Sequence, residues 1–207
     1  MREAARIRLL LVESGRAVGG TERVVWELAT RLPKSRFDVR VWLSPDPGVD
    51  EFAAALTGAG LGVDRVAEVD RRFDLGGMAS TWARLRRLGP DLLHVHHVWP
   101  AADRYLSLIA RSAGVPRMVV TEHITGESHS RGQRALKRGE LRHADAITAV
   151  TGAIVDTLVR DYGIERSRVA IIPNGADPPD PDREEPEARR WREKFLATPL
   201  KPLWVVA

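Results

Sequence analysis

Residues 7–32 read IRLLLVESGRAVGGTERVVWELATRL, and this stretch decides the fold. Ile7–Val12 is an apolar run broken only by Arg8, without polar alternation, as in a strand covered on both faces. Val24, Val25, Leu28, Ala29 and Leu32 then recur at helical spacing and form one apolar stripe. Between strand and helix stand Gly15, Gly19 and Gly20, and Thr21 and Glu22 open the helix. Glycines at such a junction let a ligand reach the backbone. The helix amino terminus adds free N–H groups and a partial positive charge. A phosphate group suits both features. A plainer reading also fits: Gly19 and Gly20 make a tight turn, and Thr21 caps the helix.

Outward from this junction the same alternation continues. FDVRVWL (Phe37–Leu43) reads as a strand, DEFAAALTGAG (Asp50–Gly60) as a helix and GVDRVAEV (Gly62–Val69) as a weaker strand. MASTWARLRRLG (Met78–Gly89) is a helix ended by glycine and proline. DLLHVHH, AADRYLSLIARSAG and PRMVVTEH repeat strand, helix, strand. A basic segment, RGQRALKRGELRHA, precedes strand DAITAV, helix TGAIVDTLVRDYG and strand RVAIIPNG. Seven strands alternating with six helical segments predict an α/β fold, a doubly wound Rossmann-like parallel sheet with helices on both faces, over residues 1–175. Residues 176–200 carry the proline-rich run DPPDPDREEP and read as a linker. KPLWVVA (201–207) opens a new apolar run without its crossover helix, so we expect it to be the first strand of an absent second domain.

Composition narrows the function. Thirty-two basic and 28 acidic residues give a net charge of only +4. The basic residues are spread along the chain, which disfavours nucleic-acid binding. With no cysteine there is no disulfide framework and no thiolate metal site, a pattern that fits a reducing compartment. No apolar run approaches the roughly 20 residues of a membrane span, and the first residues lack a secretory cleavage pattern. We therefore expect a cytoplasmic protein. Two nucleotide-binding fingerprints fail. Gly15-x-x-x-Gly19-Gly20 is not G-x-G-x-x-G, and Asp46 lies well beyond the second strand, where the ribose-binding acid belongs. No G-K-[ST] follows either.

GGTERVVWELATRL, PDLLHVHH, VVTEH, ADAITAVT and RVAIIPNGAD occur in this order and spacing. Together they resemble the amino-terminal domain of the retaining glycosyltransferases of family 4 type, which have the two-domain GT-B fold. The resemblance covers roughly residues 6–177. It implies transfer of a sugar from a nucleotide-diphosphate donor to an acceptor hydroxyl, in polysaccharide or glycoconjugate synthesis, with no cofactor and no metal. It places Gly19, Gly20, Thr21 and Glu22 beside the donor diphosphate and the acceptor, and His123 against the transferred sugar as the catalytic side chain. His97, edging the acceptor cleft, and Asn174 and Gly175 of the PNG segment join the binding residues. The implied partners are a nucleotide sugar, a carbohydrate or glycolipid acceptor and the missing carboxy-terminal domain. With half of the donor site absent, the isolated chain is expected to be inactive.

Other readings stand beside this one. His94 and His96 share a strand face and His97 ends the strand, so the three could converge on a metal; satisfied strand-end histidines are the plainer account. His129 lies in a polar loop that could line the acceptor site. Arg131, Arg134, Arg138 and Arg142 share a helix face with Lys137 beside them. Arg84, Arg86 and Arg87 flank Trp82 and Leu85. Either set could rest peripherally on an anionic membrane at its inner face, or could be a solvated surface. The alternatives in function are a non-catalytic module binding a phosphosugar or nucleotide, and a sugar-nucleotide epimerase.

Overall fold

The computed structural model describes residues 5–69, 74–99, 102–124, 126 and 130–175. The chain divides into two units after Asn174, and the fold described below belongs to the first. The expected linker and the expected strand at 201–207 lie outside the described residues.

Among the described residues thirteen strands and α-helices alternate: β1 (Ile7–Glu13), α1 (Gly20–Arg31), β2 (Phe37–Leu43), α2 (Asp50–Gly58), β3 (Gly62–Arg65), α3 (Leu75–Leu88), β4 (Leu92–His97), α4 (Leu106–Ser112), β5 (Arg117–Glu122), α5 (Arg131–His143), β6 (Ala146–Ala149), α6 (Gly152–Tyr162) and β7 (Val169–Ile171). The strands form one parallel sheet in the order β3-β2-β1-β4-β5-β6-β7. Strand order therefore reverses between β1 and β4, and ligands of such sheets bind beyond the carboxyl ends at that point.

Alternation along each strand divides the core. Leu9 and Leu11 of β1, with Val41 and Leu43 of β2, pack against Val25 and Ala29 of α1 and Phe52 and Leu56 of α2. Leu10 and Val12 face the other way, joined by Leu93, Val95, Met118, Val120 and Ile147. That side meets Leu85 of α3, Ile109 of α4, Leu141 of α5 and Leu158 of α6. Both faces of β1 are thus covered, which is why its sequence shows no polar alternation.

Local chemistry sets the element ends. The Asp74 carboxylate accepts from the Gly77 N–H at the start of α3, and the helix stops at Gly89, whose φ of 54° is left-handed. Ser130 and Gln133 form a reciprocal capping box that starts α5, so the basic segment is a regular helix. The structure trims three expectations. The third strand ends at Arg65 rather than Val69, and α2 stops at Gly58. The fourth helix begins only at Leu106, because the preceding turn contains Asp103 at φ 50°, outside helical geometry.

Leu11 is fully buried between the two helices of its layer. Leu11→Ala is expected to cost about 2–5 kcal/mol, read as a lower denaturant midpoint at unchanged slope.

Candidate functional site

The loop between β1 and α1 opens at the β1–β4 reversal. Glycine is needed at two positions around it for reasons internal to the chain. A Cβ on Gly15 would collide with carboxyl oxygens of both Glu13 and Glu22, and a Cβ on Gly48 would strike the Arg16 carbonyl. Gly19 and Gly20 differ. Neither has a positive φ. A Cβ on Gly19 would meet only a Glu22 carboxylate oxygen, at an ordinary 3.5 Å, and one on Gly20 would meet nothing within 4 Å. The tight-turn account gives no reason for glycine at either place.

Hydrogen bonding then singles out the free donors. Gly19, not Thr21, is the helix cap, and having no side chain it bonds only through its backbone. Its N–H donates to Glu22 Oε2 at 2.7 Å, while Glu13 Oε1 accepts from the Gly15 N–H. That leaves the first-turn N–H groups of Gly20, Thr21 and Glu22, which no helical carbonyl can reach. Glu22 itself is buried, and its side chain braces the loop from beneath. Burial, and then the neighbouring Glu22 carboxylate, push the Glu13 carboxyl up to about 8. Ser14 Oγ donates to the Asp103 carboxylate at 2.7 Å, tying the end of β1 to the turn before α4.

His123 follows β5 directly and is half-buried. Its N–H donates to the His97 carbonyl at 3.2 Å. Its ring stacks on His96 at 5.2 Å between centroids, with His96 Nδ1 and His123 Nε2 3.0 Å apart. His94 Nε2 lies 2.7 Å from Thr121 Oγ1, which in turn lies 2.6 Å from Thr148 Oγ1. Burial drives all three imidazoles toward the neutral form. His94 and His123 fall to about 4, and His96 lies well below its ordinary value. Among the described residues no three His, Asp or Glu side chains are grouped to hold a metal ion.

His97 points to the opposite face of the sheet and is fully buried rather than edging a cleft. Its Nδ1 lies 2.7 Å from Glu122 Oε1 and 2.6 Å from Lys137 Nζ, and its Nε2 lies 3.1 Å from Glu140 Oε1. Lys137 Nζ reaches the same Glu122 oxygen at 2.7 Å. Burial and the Lys137 charge oppose the imidazolium, yet Glu140 and Glu122 carry His97 up to about 9. The same two cations overcome burial at Glu122 and hold it down at about 2. The four groups form a buried quartet of two basic and two acidic side chains.

Sequence reasoning grouped Lys137 with the arginine stripe; the structure turns it inward while Arg131, Arg134, Arg138 and Arg142 stay exposed. Arg138 Nε donates to the Tyr162 carbonyl at 2.6 Å. Trp82 is partly exposed on α3 with the Arg86 guanidinium over its ring. Glu122, Glu140, Asp103 and Glu13 were missed as site residues. A signal existed for two of them: Glu122 ends a strand of apolar residues, and Lys137-x-x-Glu140 shares one helix face. Asn174 and Gly175 are exposed beyond the end of β7. His129 lies outside the described residues. No described helix is long and apolar enough to cross a membrane.

The family model for Glycosyltransferase Family 4 matches residues 18–179. No curated protein matches the chain significantly. Among solved structures, a glycosyltransferase from Rickettsia africae ESF-5 superposes with a TM-score of 0.68 at 17% identity, over 95% of this chain and 51% of that one. The lipopolysaccharide outer core galactosyltransferase WaaB in its apo form gives 0.57 at 15%, over 86% and 50%. A UDP-N-acetylglucosamine 2-epimerase from Rickettsia bellii gives 0.55 at 11%, over 94% and 50%. At these identities the likeness shows the shared fold. The chain spans about half the length of the solved structures it matches.

Two measurements check the site's electrostatics. Lys137→Met strands a carboxylate in the quartet and is expected to cost about 3–5 kcal/mol in a denaturation experiment. The lowered values of His94, His96 and His123 make their stabilisation complete above the ordinary imidazole value near 6.5 and progressively lost as pH falls toward 4. The thermal midpoint should therefore fall across that window, less steeply in His94→Gln; a flat midpoint would contradict the burial of neutral rings.

Proposed function

This chain belongs to glycosyltransferase family 4, with the architecture of the amino-terminal half of a GT-B fold, and from that premise we propose that it helps move a sugar from a nucleotide-diphosphate donor to an acceptor hydroxyl with retention of configuration. One observation carries the reading: glycine at position 20 is not required by the chain's own packing, since a Cβ there would meet no atom within 4 Å, and it opens a helix whose first-turn N–H groups have no helical carbonyl to bond. Breaking the sugar–phosphate bond places negative charge on the departing diphosphate. Fixed N–H donors stabilise that charge as it develops, without needing to reorganise. His123, at the adjacent strand end, bears on the transferred sugar as a neutral ring. Binding donor and acceptor side by side supplies much of the remaining acceleration. The acceptor, a carbohydrate or glycolipid, lies on the side of this domain.

The donor's nucleotide and the rest of its diphosphate belong, on this reading, to a second domain, and the present chain alone does not turn over. The epimerase alternative has only the shared fold behind it. The transferase reading has the family match as well.

Inorganic pyrophosphate is the direct probe. In amide NMR spectra of the 207-residue chain, the Gly20, Thr21 and Glu22 N–H signals are expected to shift on its addition, and unmoved signals would sink the proposal. Gly20→Ala is expected to change stability by less than about 0.5 kcal/mol while weakening pyrophosphate binding severalfold. Gly15→Ala should instead destabilise the fold by about 1–3 kcal/mol, since its Cβ meets two carboxyls.

A further inference from the structure

Two acidic side chains lie beneath the glycine loop, an unexpected charge under a seat for an anion. Glu13, at the end of β1, is 1% exposed, and Glu22, in the first turn of α1, is 3% exposed. Each carboxyl holds one loop N–H: Glu13 Oε1 accepts from Gly15, and Glu22 Oε2 accepts from Gly19 at 2.7 Å. The two also meet each other. Oε1 of both residues crowds the space where a Cβ on Gly15 would stand, and the carboxyls hydrogen-bond there. Two carboxylates have no hydrogen to offer, so a bond between them requires a proton on one. A buried acid pair in such contact does not ionise at both members near neutrality.

We propose that Glu13 and Glu22 are positioning residues that share a single proton, and that this proton holds the glycine loop in the shape that receives an anion. With the proton in place the carboxyls stay together and tie down Gly15 and Gly19 from beneath. The N–H groups of Gly20, Thr21 and Glu22 are then left for the ligand, a role that rests on the transferase reading above. Gly15 gains a purpose here, because a side chain at that position would drive the carboxyls apart. Removing the proton leaves two like charges in contact and adds a negative charge beside the first helical turn. Both effects oppose a diphosphate. The surroundings favour retention. Asp103, in the turn before α4, is a further acidic charge acting on Glu13. Glu68, which accepts from the Asp103 N–H, and Tyr105 line the same cavity as Glu13. His96, the register partner of Glu13 on β4, is held neutral. The Glu13 carboxyl, pushed up to about 8, agrees with a proton kept at neutral pH. Since an anion favours the protonated pair, its affinity is level below that value and falls as pH rises through it.

The test reads carboxyl 13C signals of the 207-residue chain labelled in glutamate, with no anion added and with assignment by loss in Glu13→Gln and Glu22→Gln. Glu13 and Glu22 should report one common step near pH 8, and the Gly15 and Gly19 N–H signals should move with it. Carboxyl signals that finish titrating in the ordinary carboxylate range, or glycine signals unmoved through the step, overturn the proposal. Glu22→Gln keeps an acceptor for the Gly19 N–H but removes the second acid, so it should carry the Glu13 step downward. A step that stays in place would mean burial alone, and would overturn the sharing. Pyrophosphate binding reports the consequence. Relative to Glu13→Gln, which has no proton to lose, affinity in the unsubstituted chain should fall roughly tenfold between about pH 7 and 9.5. The comparison cancels the ligand's own ionisation, and parallel profiles overturn the link between proton and anion. Should Glu13→Gln fail to fold, Glu22→Gln serves as the reference. A chain that ignores pyrophosphate at pH 7 sinks the proposed function instead, and the anion-free titration still decides the shared proton.

Discussion

The reversal of strand order between β1 and β4 is the constraint on which everything else rests. From β1 the chain winds one way through β2 and β3, then returns and winds the other way through β4 to β7. Right-handed crossovers then put α1 and α2 on one face and the remaining helices on the other. No crossover spans the gap between β1 and β4 at their carboxyl ends. The first strand's exit, the first helix's amino terminus and the ends of β4 and β5 are all brought to the edge of that gap.

Period-two alternation then distributes two kinds of chemistry across neighbouring residues. Glu122 and His123 are adjacent in sequence, as are His96 and His97, yet each pair parts to opposite faces. Glu122 and His97 join Lys137 and Glu140 in a buried quartet on the α5 side. His96 and His123 stack as neutral rings on the α1 side. Burial lowers the imidazole in both sets: at His97 the nearby carboxylates override it, and at His96, without them, the ring is held neutral. The quartet is a costly way to hold two strands and a helix together. It fixes the backbone from which His123 departs, since the His123 N–H bonds to the carbonyl of His97.

The fold was legible because its signals are local and repeated. Apolar runs such as Ile7–Val12 and helical stripes such as Val25 to Leu32 recur in strict alternation, and the parallel sheet follows from that alternation. Element ends were less legible, because they depend on tertiary ties such as the Asp103 turn held by Ser14. Within the site, the glycines and the position of His123 after β5 could be read directly. The inward turn of Lys137 could not, since a lysine among arginines on a basic helix shows its partner only when the strand ends are in place. The burial of His97 was hidden for the same reason. The division of labour among the glycines also needed coordinates: only packing distinguishes Gly15, wedged between carboxyls, from Gly20, which faces empty space.

The turn at residues 46–49 carries a consequence for anyone wishing to move this loop to another scaffold. Gly48 abuts the Arg16 carbonyl, Asp46 accepts from the Gly48 N–H, and Arg65 donates to the Ser44 and Asp46 carbonyls. The seat of the glycine loop is thus assembled from the exits of the second and third strands, well downstream in the chain. A graft of residues 13–22 alone would leave its cradle behind; transplanting the loop's backbone means transplanting Asp46, Gly48 and Arg65 with it.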